Sequence, residues 1–211
     1  RVILFLLLPH LQISRLFLMQ HQTRIFKDFR KLYRLYEKGT VFTAFDTETT
    51  GLSPSKDRII EIGAVKFNKD GIISTWSKLF NPGFSISPFI TNLTHITQEM
   101  LDSSDYIENH LLDFIEFVGD SILIAHNAQF DLNFINAECQ RINHKGINNL
   151  TIDTLQASRW AYPMQKTHKL SVLAQLMNID CKNAHRATDD AETCKEVFLR
   201  IIKDTMSVQK V

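Results

Sequence analysis

From Val41 onward, apolar and polar positions alternate with a period of two, which predicts three successive strands at Val41–Asp46, Ile59–Phe67 and Thr75–Phe80. Gly51-Leu-Ser-Pro54 separates the first two. Asn68-Lys-Asp-Gly71, which ends in an Asp-Gly hairpin signal, separates the second and third. After Asn81-Pro-Gly83 the spacing lengthens to that of helices, short ones at Pro88–Asn92 and Thr97–Leu101 and a longer amphipathic one at Tyr106–Val118. Ser121–Ala125 reads as a short buried strand, and Ala128–Ile142 as a helix with Asn127 as its N-cap. The remainder is helical, at Asp153–Ala161, Leu170–Met177 and Ala187–Lys203. Strands first, then alternating strand and helix, predict an α/β domain with a mixed central β-sheet flanked by α-helices.

Residues 24–38 follow a different pattern. Ile25, Phe29, Leu32 and Tyr36 form one apolar stripe at helical spacing, while Arg24, Lys27, Arg30, Lys31, Arg34 and Lys38 supply charge, and Gly39 is placed as a C-cap. This predicts an N-terminal basic helical extension. Two readings stay open: a helix docked on the domain's own sheet, or a charged arm that holds a nucleic-acid strand or makes membrane contact near the site. Val2–Leu8 is an unbroken apolar run, ended by Pro9 and His10. It falls short of the ~20 apolar residues of a membrane span, and no small-residue cleavage site follows it. The chain begins at Arg1, so Met19 is an alternative start. The domain division expected is an extension at 1–38 and one domain at 39–211.

Composition sharpens this picture in two respects. The overall charge of +1 hides an asymmetry: residues 1–38 hold eight Lys/Arg against Asp28 and Glu37, a net of +6, and residues 39–211 a net of −5. Nucleic-acid binding therefore has to be argued from a local site and not from net charge. Cys139, Cys181 and Cys194 have no paired spacing, so reduced thiols and a cytoplasmic location are expected.

The candidate chemistry lies in acids set in or beside apolar segments, where an unpaired buried charge is costly. Asp46 and Glu48 are two apart on a strand and share a face with Phe42 and Ala44, which makes that face interior. Asp190 shares a helical stripe with Cys194, Val197 and Ile201, so Asp190 points inward and Asp189 does not. Asp131 falls in the first turn of its helix, where the dipole favours an acid in any case. His126-Asn127 precedes that turn, a natural place for a phosphate. His185 lies on the loop before the last helix. Convergence of the four acids would make a site for hard divalent cations, the usual machinery for displacement at phosphorus.

Three segments carry a family resemblance: Phe45-Asp-Thr-Glu-Thr-Thr-Gly51, His126-Asn-Ala-Gln-Phe-Asp131 and His185-Arg-Ala-Thr-Asp-Asp190. They resemble, in order, the three motifs of the DEDDh (DnaQ-like) 3′–5′ exonuclease family, whose polymerase-associated branch includes the epsilon proofreading subunit of bacterial DNA polymerase III. Ile59-Ile-Glu-Ile-Gly-Ala-Val65, Leu93-Thr-His-Ile-Thr97, Ile152-Asp-Thr-Leu155 and His168-Lys-Leu170 are also similar in order and spacing, and the likeness covers about residues 40–203.

The resemblance implies a ribonuclease H-like exonuclease fold and two divalent cations, Mg²⁺ or Mn²⁺. It implies that Asp46 bridges both, that Glu48 and Asp190 complete the coordination of the first, and that Asp131 supports the second. His185 would be the general base; the backbone at Thr49 and the side chain of Leu52 would hold and wedge the terminal nucleotide; Asn127 and Phe130 would line its phosphate and sugar. His95 departs from the pattern, since many relatives have glycine there. Little follows Lys203, so the polymerase-binding extension of the epsilon subunit is expected to be missing. The partners implied are nucleic acid, DNA over RNA, and a DNA polymerase or other replication or repair protein. RNA 3′-end trimming and a catalytically silent nucleic-acid-binding module are the competing readings. Four retained acids with His185 argue against the silent one.

Overall fold

The computed structural model describes residues 24–180 and 185–209. The apolar run Val2–Leu8, the alternative start at Met19 and Cys181 lie outside the described residues. Six strands form one mixed sheet: β1 (Arg24–Ile25), β2 (Phe42–Thr49), β3 (Ile59–Asn68), β4 (Gly71–Leu79), β5 (Ile122–Ala125) and β6 (Leu150–Asp153), in the order β1-β6-β5-β2-β3-β4. β1, β6, β5 and β2 run parallel; β3 and β4 return antiparallel through the hairpin at Asn68–Gly71. The helices are α1 (Leu32–Glu37), α2 (Pro88–Thr94), α3 (Gln98–Asp102), α4 (Leu111–Val118), α5 (Gln129–Arg141), α6 (Thr154–Ala161), α7 (Leu170–Leu176) and α8 (Ala187–Gln209).

The central strand β2 is covered on both faces, as its run of buried positions requires. Phe45 points to one side, into a core with Leu123, Phe114 and Phe134 under α4 and α5. Phe42 and Ala44 point to the other, into a core with Ile124, Ile152, Cys194, Val197 and Phe198 under α6 and α8. Asp46 and Glu48 continue that second face, so the face predicted to be interior is the one roofed by α8. Cys139 and Cys194 are buried free thiols. Among the described residues, no helix is long and apolar enough to cross a membrane.

Three local expectations need correction. The arm is not one helix: Arg24–Ile25 adds a parallel strand to β6, Phe29–Lys31 is a 3-10 turn, and only Leu32–Glu37 is α-helical. The open edge of β6 explains the first part, since Phe26 N–H donates to Thr151 O at 2.7 Å, and backbone pairing there outweighs helical propensity. β6 itself is a strand where only a following helix was expected, and Asp153 caps that helix from the strand's end. Asn127 is not the N-cap of α5. Ala128 holds that position, while Asn127 takes a left-handed conformation with φ 65°.

The arm is docked. Phe29 and Leu32 are buried with Phe42, Phe198 and Ile201, and the six basic side chains are exposed. Gly39 lies near Lys69 of the β3–β4 hairpin, which puts α1 at the amino end of β2. The acids sit at its carboxyl end, a displacement of roughly 13 Å from Phe42 to Asp46 at ~3.3 Å per residue.

Candidate active site

The site is assembled where β2, β5 and β6 end and α8 begins. In the β2–β3 register Asp46 faces Gly63 and Glu48 faces Glu61. A Cβ on Gly63 would overlap the backbone of Ala187 and Thr188, so only glycine lets the first turn of α8 rest on the sheet beside Asp46. Glu61 is buried and holds that turn in place: it accepts from Arg186 Nη2 at 2.7 Å, Arg186 Nε at 3.1 Å and Ala187 N–H at 3.0 Å. A bidentate, hydrogen-bonded pair is the form in which a buried carboxylate is tolerated. The result brings carboxylate oxygens of Glu48 and Asp190 and a ring nitrogen of His185 within 4.8 Å of one another.

Asp131 reaches the same place from α5. β5 pairs with β2 at Phe42–Ala44. Beyond that pairing, Asp131 Oδ1 accepts from Thr47 N–H at 3.1 Å and Thr47 Oγ1 at 2.7 Å, in effect continuing the ladder. Asp131 lies in the first turn of α5, as expected. His185 is exposed, has φ 69°, and donates its backbone N–H to Asp190 Oδ2 at 2.9 Å. Asp189 instead borders a separate depression with Ile179, Asp180 and Glu192, in agreement with the inward assignment of Asp190.

Electrostatics mark the centre. Burial, then the charges of Asp131, Glu48 and Asp190, hold the Asp46 carboxyl well above the usual range. Burial, then Asp190 and Glu61, push Glu48 up to about 8. Burial pushes Asp131 up to about 7 against the lowering hydrogen bonds from Thr47. Asp190 is also raised by burial, with the His185 N–H opposing. Four acids that resist ionising together leave a site short of positive charge. The donor set is oxygen-rich, and the 4.8 Å spacing suits ligands lying 2.0–2.6 Å from a hard cation. These residues fit divalent metal ions.

The remaining expected site residues surround this centre. Thr49 ends β2, buried, with its Oγ1 bonded to Gly51 O at 2.7 Å. Leu52 is 84% exposed on a loop that is firmly built. Asp57 accepts from Ser53 N–H at 2.8 Å, and Arg141 Nη2 donates to Pro54 O at 2.8 Å and Asp57 O at 3.2 Å. Asn127 is exposed, its N–H held by Asp153 Oδ1 at 3.1 Å. Phe130 is half-buried against Phe134, ring centroids 4.9 Å apart. His95 caps α2 with φ 59° and an exposed ring, a conformation that glycine adopts freely. Sequence reasoning did not single out Glu61, Arg186, Thr47 or Asp153. For Glu61 a signal existed, a lone acid inside Ile59-Ile-Glu-Ile62.

Comparison with known proteins agrees with the geometry. The family described as Exonuclease (RNase_T) matches residues 43–198. DNA polymerase III subunit epsilon of Treponema pallidum is 40% identical over 163 residues, 76% of this chain and 76% of that protein. DNA polymerase III PolC-type of Caldanaerobacter subterraneus subsp. tengcongensis is 39% identical over 167 residues, 79% of this chain, and the match spans only 12% of that polymerase's length. Among solved structures, the nuclease domain of 3'hExo, a DEDDh family member bound to rAMP, superposes with TM-score 0.69 at 22% identity, covering 79% of this chain and 93% of that one. Exonuclease X in complex with 5' overhanging duplex DNA gives 0.62 at 23%, covering 78% and 93%. A ribonuclease H-like sheet, acids converging at the end of its central strand and a family match across that whole region lead to one assignment: the chain belongs to the exonuclease family, on the epsilon-like 3′–5′ exonuclease branch.

Proposed function

We propose that this chain removes nucleotides one at a time from 3′ ends of DNA, preferring single-stranded or frayed ends and releasing nucleoside 5′-monophosphates. The observation that carries the reading is the convergence of four charge-starved acids beside an exposed histidine. Asp46, Glu48, Asp131 and Asp190 would hold two divalent cations, Mg²⁺ or Mn²⁺, which when bound lower the pKa of water and offset charge on a phosphoryl group. His185, exposed at the rim, takes the proton of the attacking water; imidazole is the side chain suited to that task at neutral pH. Asp190 orients the His185 backbone through the 2.9 Å hydrogen bond. Leu52 wedges against the terminal base, and the backbone at Thr49 holds its nucleotide. Asn127 and Phe130 line the phosphate and sugar.

DNA is favoured over RNA because relatives 39–40% identical to this chain are named as DNA polymerase III proteins; the same naming supports a polymerase or other replication or repair protein as partner. In this reading residues 39–211 carry the chemistry and residues 1–38 are an extension whose described part docks on the same core. Labelled single-stranded DNA, duplex DNA and RNA, compared with Mg²⁺, Mn²⁺ and EDTA, test the proposal. DNA shortening from the 3′ end that needs a divalent cation is expected. Faster RNA trimming would move the assignment to an exoribonuclease, and binding without cleavage would reduce the chain to a binding module.

A further inference from the structure

Next to the acidic centre lies a cleft of opposite character. It holds about 600 Å³ and is walled by His126, Asn127, Arg159, Lys166, His168 and Lys169. Arg159, on α6, and Lys166 and Lys169, on the loop before α7, are exposed, and among the described residues no carboxylate pairs with any of them. Asp153, whose charge acts on His126 of the cleft, is buried and committed: Oδ1 accepts from Asn127 N–H and Leu155 N–H, and Oδ2 from Gln156 Nε2. Three cations left unneutralised in one concavity attract polyanions strongly.

The cleft is also a built feature. His126 Nδ1 lies 2.9 Å from Thr154 Oγ1, and the same ring is hydrogen-bonded to the backbone of His168. His168 Nδ1 in turn lies 3.0 Å from Ser158 Oγ. These bonds tie the loop carrying Lys166 and Lys169 to the end of β5 and to α6, so the cations are presented from a fixed frame. Asn127 borders the cleft and leads, four residues on, to Asp131. A strand whose 3′ end is at the acids must leave in the 5′ direction, and this is the adjoining positive surface on the β5–β6 side.

We propose that this cleft binds phosphodiester groups of the substrate strand 5′ to the scissile bond, anchoring a polymer whose reacting end sits among acids that repel it. The proposal rests on the exonuclease reading for its substrate but not for its binding chemistry. The shared chemistry is phosphate, and free phosphate or released nucleotide is the other source.

The test compares the full chain with a variant carrying Arg159→Ala, Lys166→Ala and Lys169→Ala. The control carries Lys69→Ala, Lys145→Ala and Lys203→Ala, an equal loss of charge at exposed sites elsewhere. On a long oligothymidylate at low salt, KM should rise about ten-fold in the cleft variant with kcat within about two-fold. The slope of log(kcat/KM) against log[salt] should flatten by about 0.7 for each single-strand phosphate that the variant no longer neutralises. A dinucleotide, whose single phosphodiester is the one cut at the acids, offers the three cations no further phosphate and should show no change in KM. Lys166→Glu alone should reproduce the direction if the triple variant folds poorly. Equal KM and slope in cleft and control variants would overturn the proposal. So would a cleft variant that loses only its inhibition by inorganic phosphate or thymidine monophosphate, which would make the cleft a free-phosphate site. Anisotropy of labelled oligothymidylate in EDTA reads the cleft without turnover. If the wild-type chain cleaves nothing, the exonuclease reading falls, and strand affinity in EDTA still decides the cleft: weaker binding by the variant supports it, equal binding refutes it.

Discussion

Without divalent cations the protein should become less stable as pH rises from about 5 to about 8.5, because its acids are packed for a charge that only a cation supplies. Glu48 is pushed from 4.5 up to about 8, and Asp131 from 3.8 up to about 7. An acid whose folded pKa is raised binds its proton more tightly when native. Its stabilising effect is therefore complete below the unfolded pKa and is lost as pH climbs through the folded one. Each pKa unit corresponds to about 1.4 kcal/mol, a ceiling of about 5 kcal/mol for either group. The acids share one field and titrate together, so the ceilings do not add; relaxation and water entry leave a net of about 2–4 kcal/mol. At about 2–4 °C per kcal/mol for a domain of this size, Tm in EDTA should fall by roughly 5–15 °C across that range. Circular dichroism melts in EDTA, repeated with excess Mg²⁺ or Mn²⁺, provide the assay. Cations should erase most of the fall and raise Tm most at the alkaline end. Asp46→Asn should give a shallower profile, a higher Tm at alkaline pH without cations, and no 3′ trimming. A Tm in EDTA that stays level or rises over the same range would refute the reasoning.

Other perturbations separate the roles of individual residues. His185→Ala should lower kcat by ~10²–10⁴-fold while leaving cation-induced thermal stabilisation largely intact; an unaltered rate–pH profile in the variant would exclude the base assignment. Leu52→Ala should reduce the preference for mismatched over matched 3′ ends, because the wedge engages a terminal base only after that base leaves its partner, at a cost of a few kcal/mol; unchanged discrimination in a competition assay would remove Leu52 from that role. Glu61→Ala leaves Arg186, a third exposed, and the Ala187 N–H without their partner and should cost about 2–3 kcal/mol in denaturant unfolding, with activity falling as the first turn of α8 loosens. Deleting residues 1–38 removes Phe29 and Leu32, uncovers Phe42, Phe198 and Ile201 and should lower Tm with little effect on the salt dependence of KM; the opposite pattern would assign the arm to substrate.

Legibility in the sequence followed the length and redundancy of each signal. β2 and β3 were readable as apolar, β-branched runs bounded by turn residues, and an Asp-Gly turn fixed the connection to β4, although β4 starts at Gly71, four residues before the expected Thr75. The inward stripe of α8 was readable because Asp190, Cys194, Val197 and Ile201 repeat over several turns. β6 was not, since its four residues include a threonine and an aspartate and give no periodicity to detect. The arm misled because its stripe fits a helix, whereas an unpaired edge on β6, visible only in three dimensions, draws Arg24 and Ile25 into the sheet. Among the site residues, the motif acids and His185 were legible. Glu61 and Arg186 were not, because their pairing joins positions 125 residues apart and depends on a register that sequence alone does not set.

The seat of α8 on Gly63 has a consequence for when the chain becomes able to cut. Asp46 and Glu48 lie on the second strand, whereas His185 and Asp190 arrive with the last described helix. A contact between such distant positions closes late, because loop entropy must be overcome before the contact returns anything. A chain emerging amino end first can therefore build its sheet and bury Phe45 and Phe134 while it still lacks Asp190 and His185. Hydrolytic competence waits for the final docking of α8, so a nascent or truncated chain among nucleic acids holds the scaffold of a nuclease but not its bite.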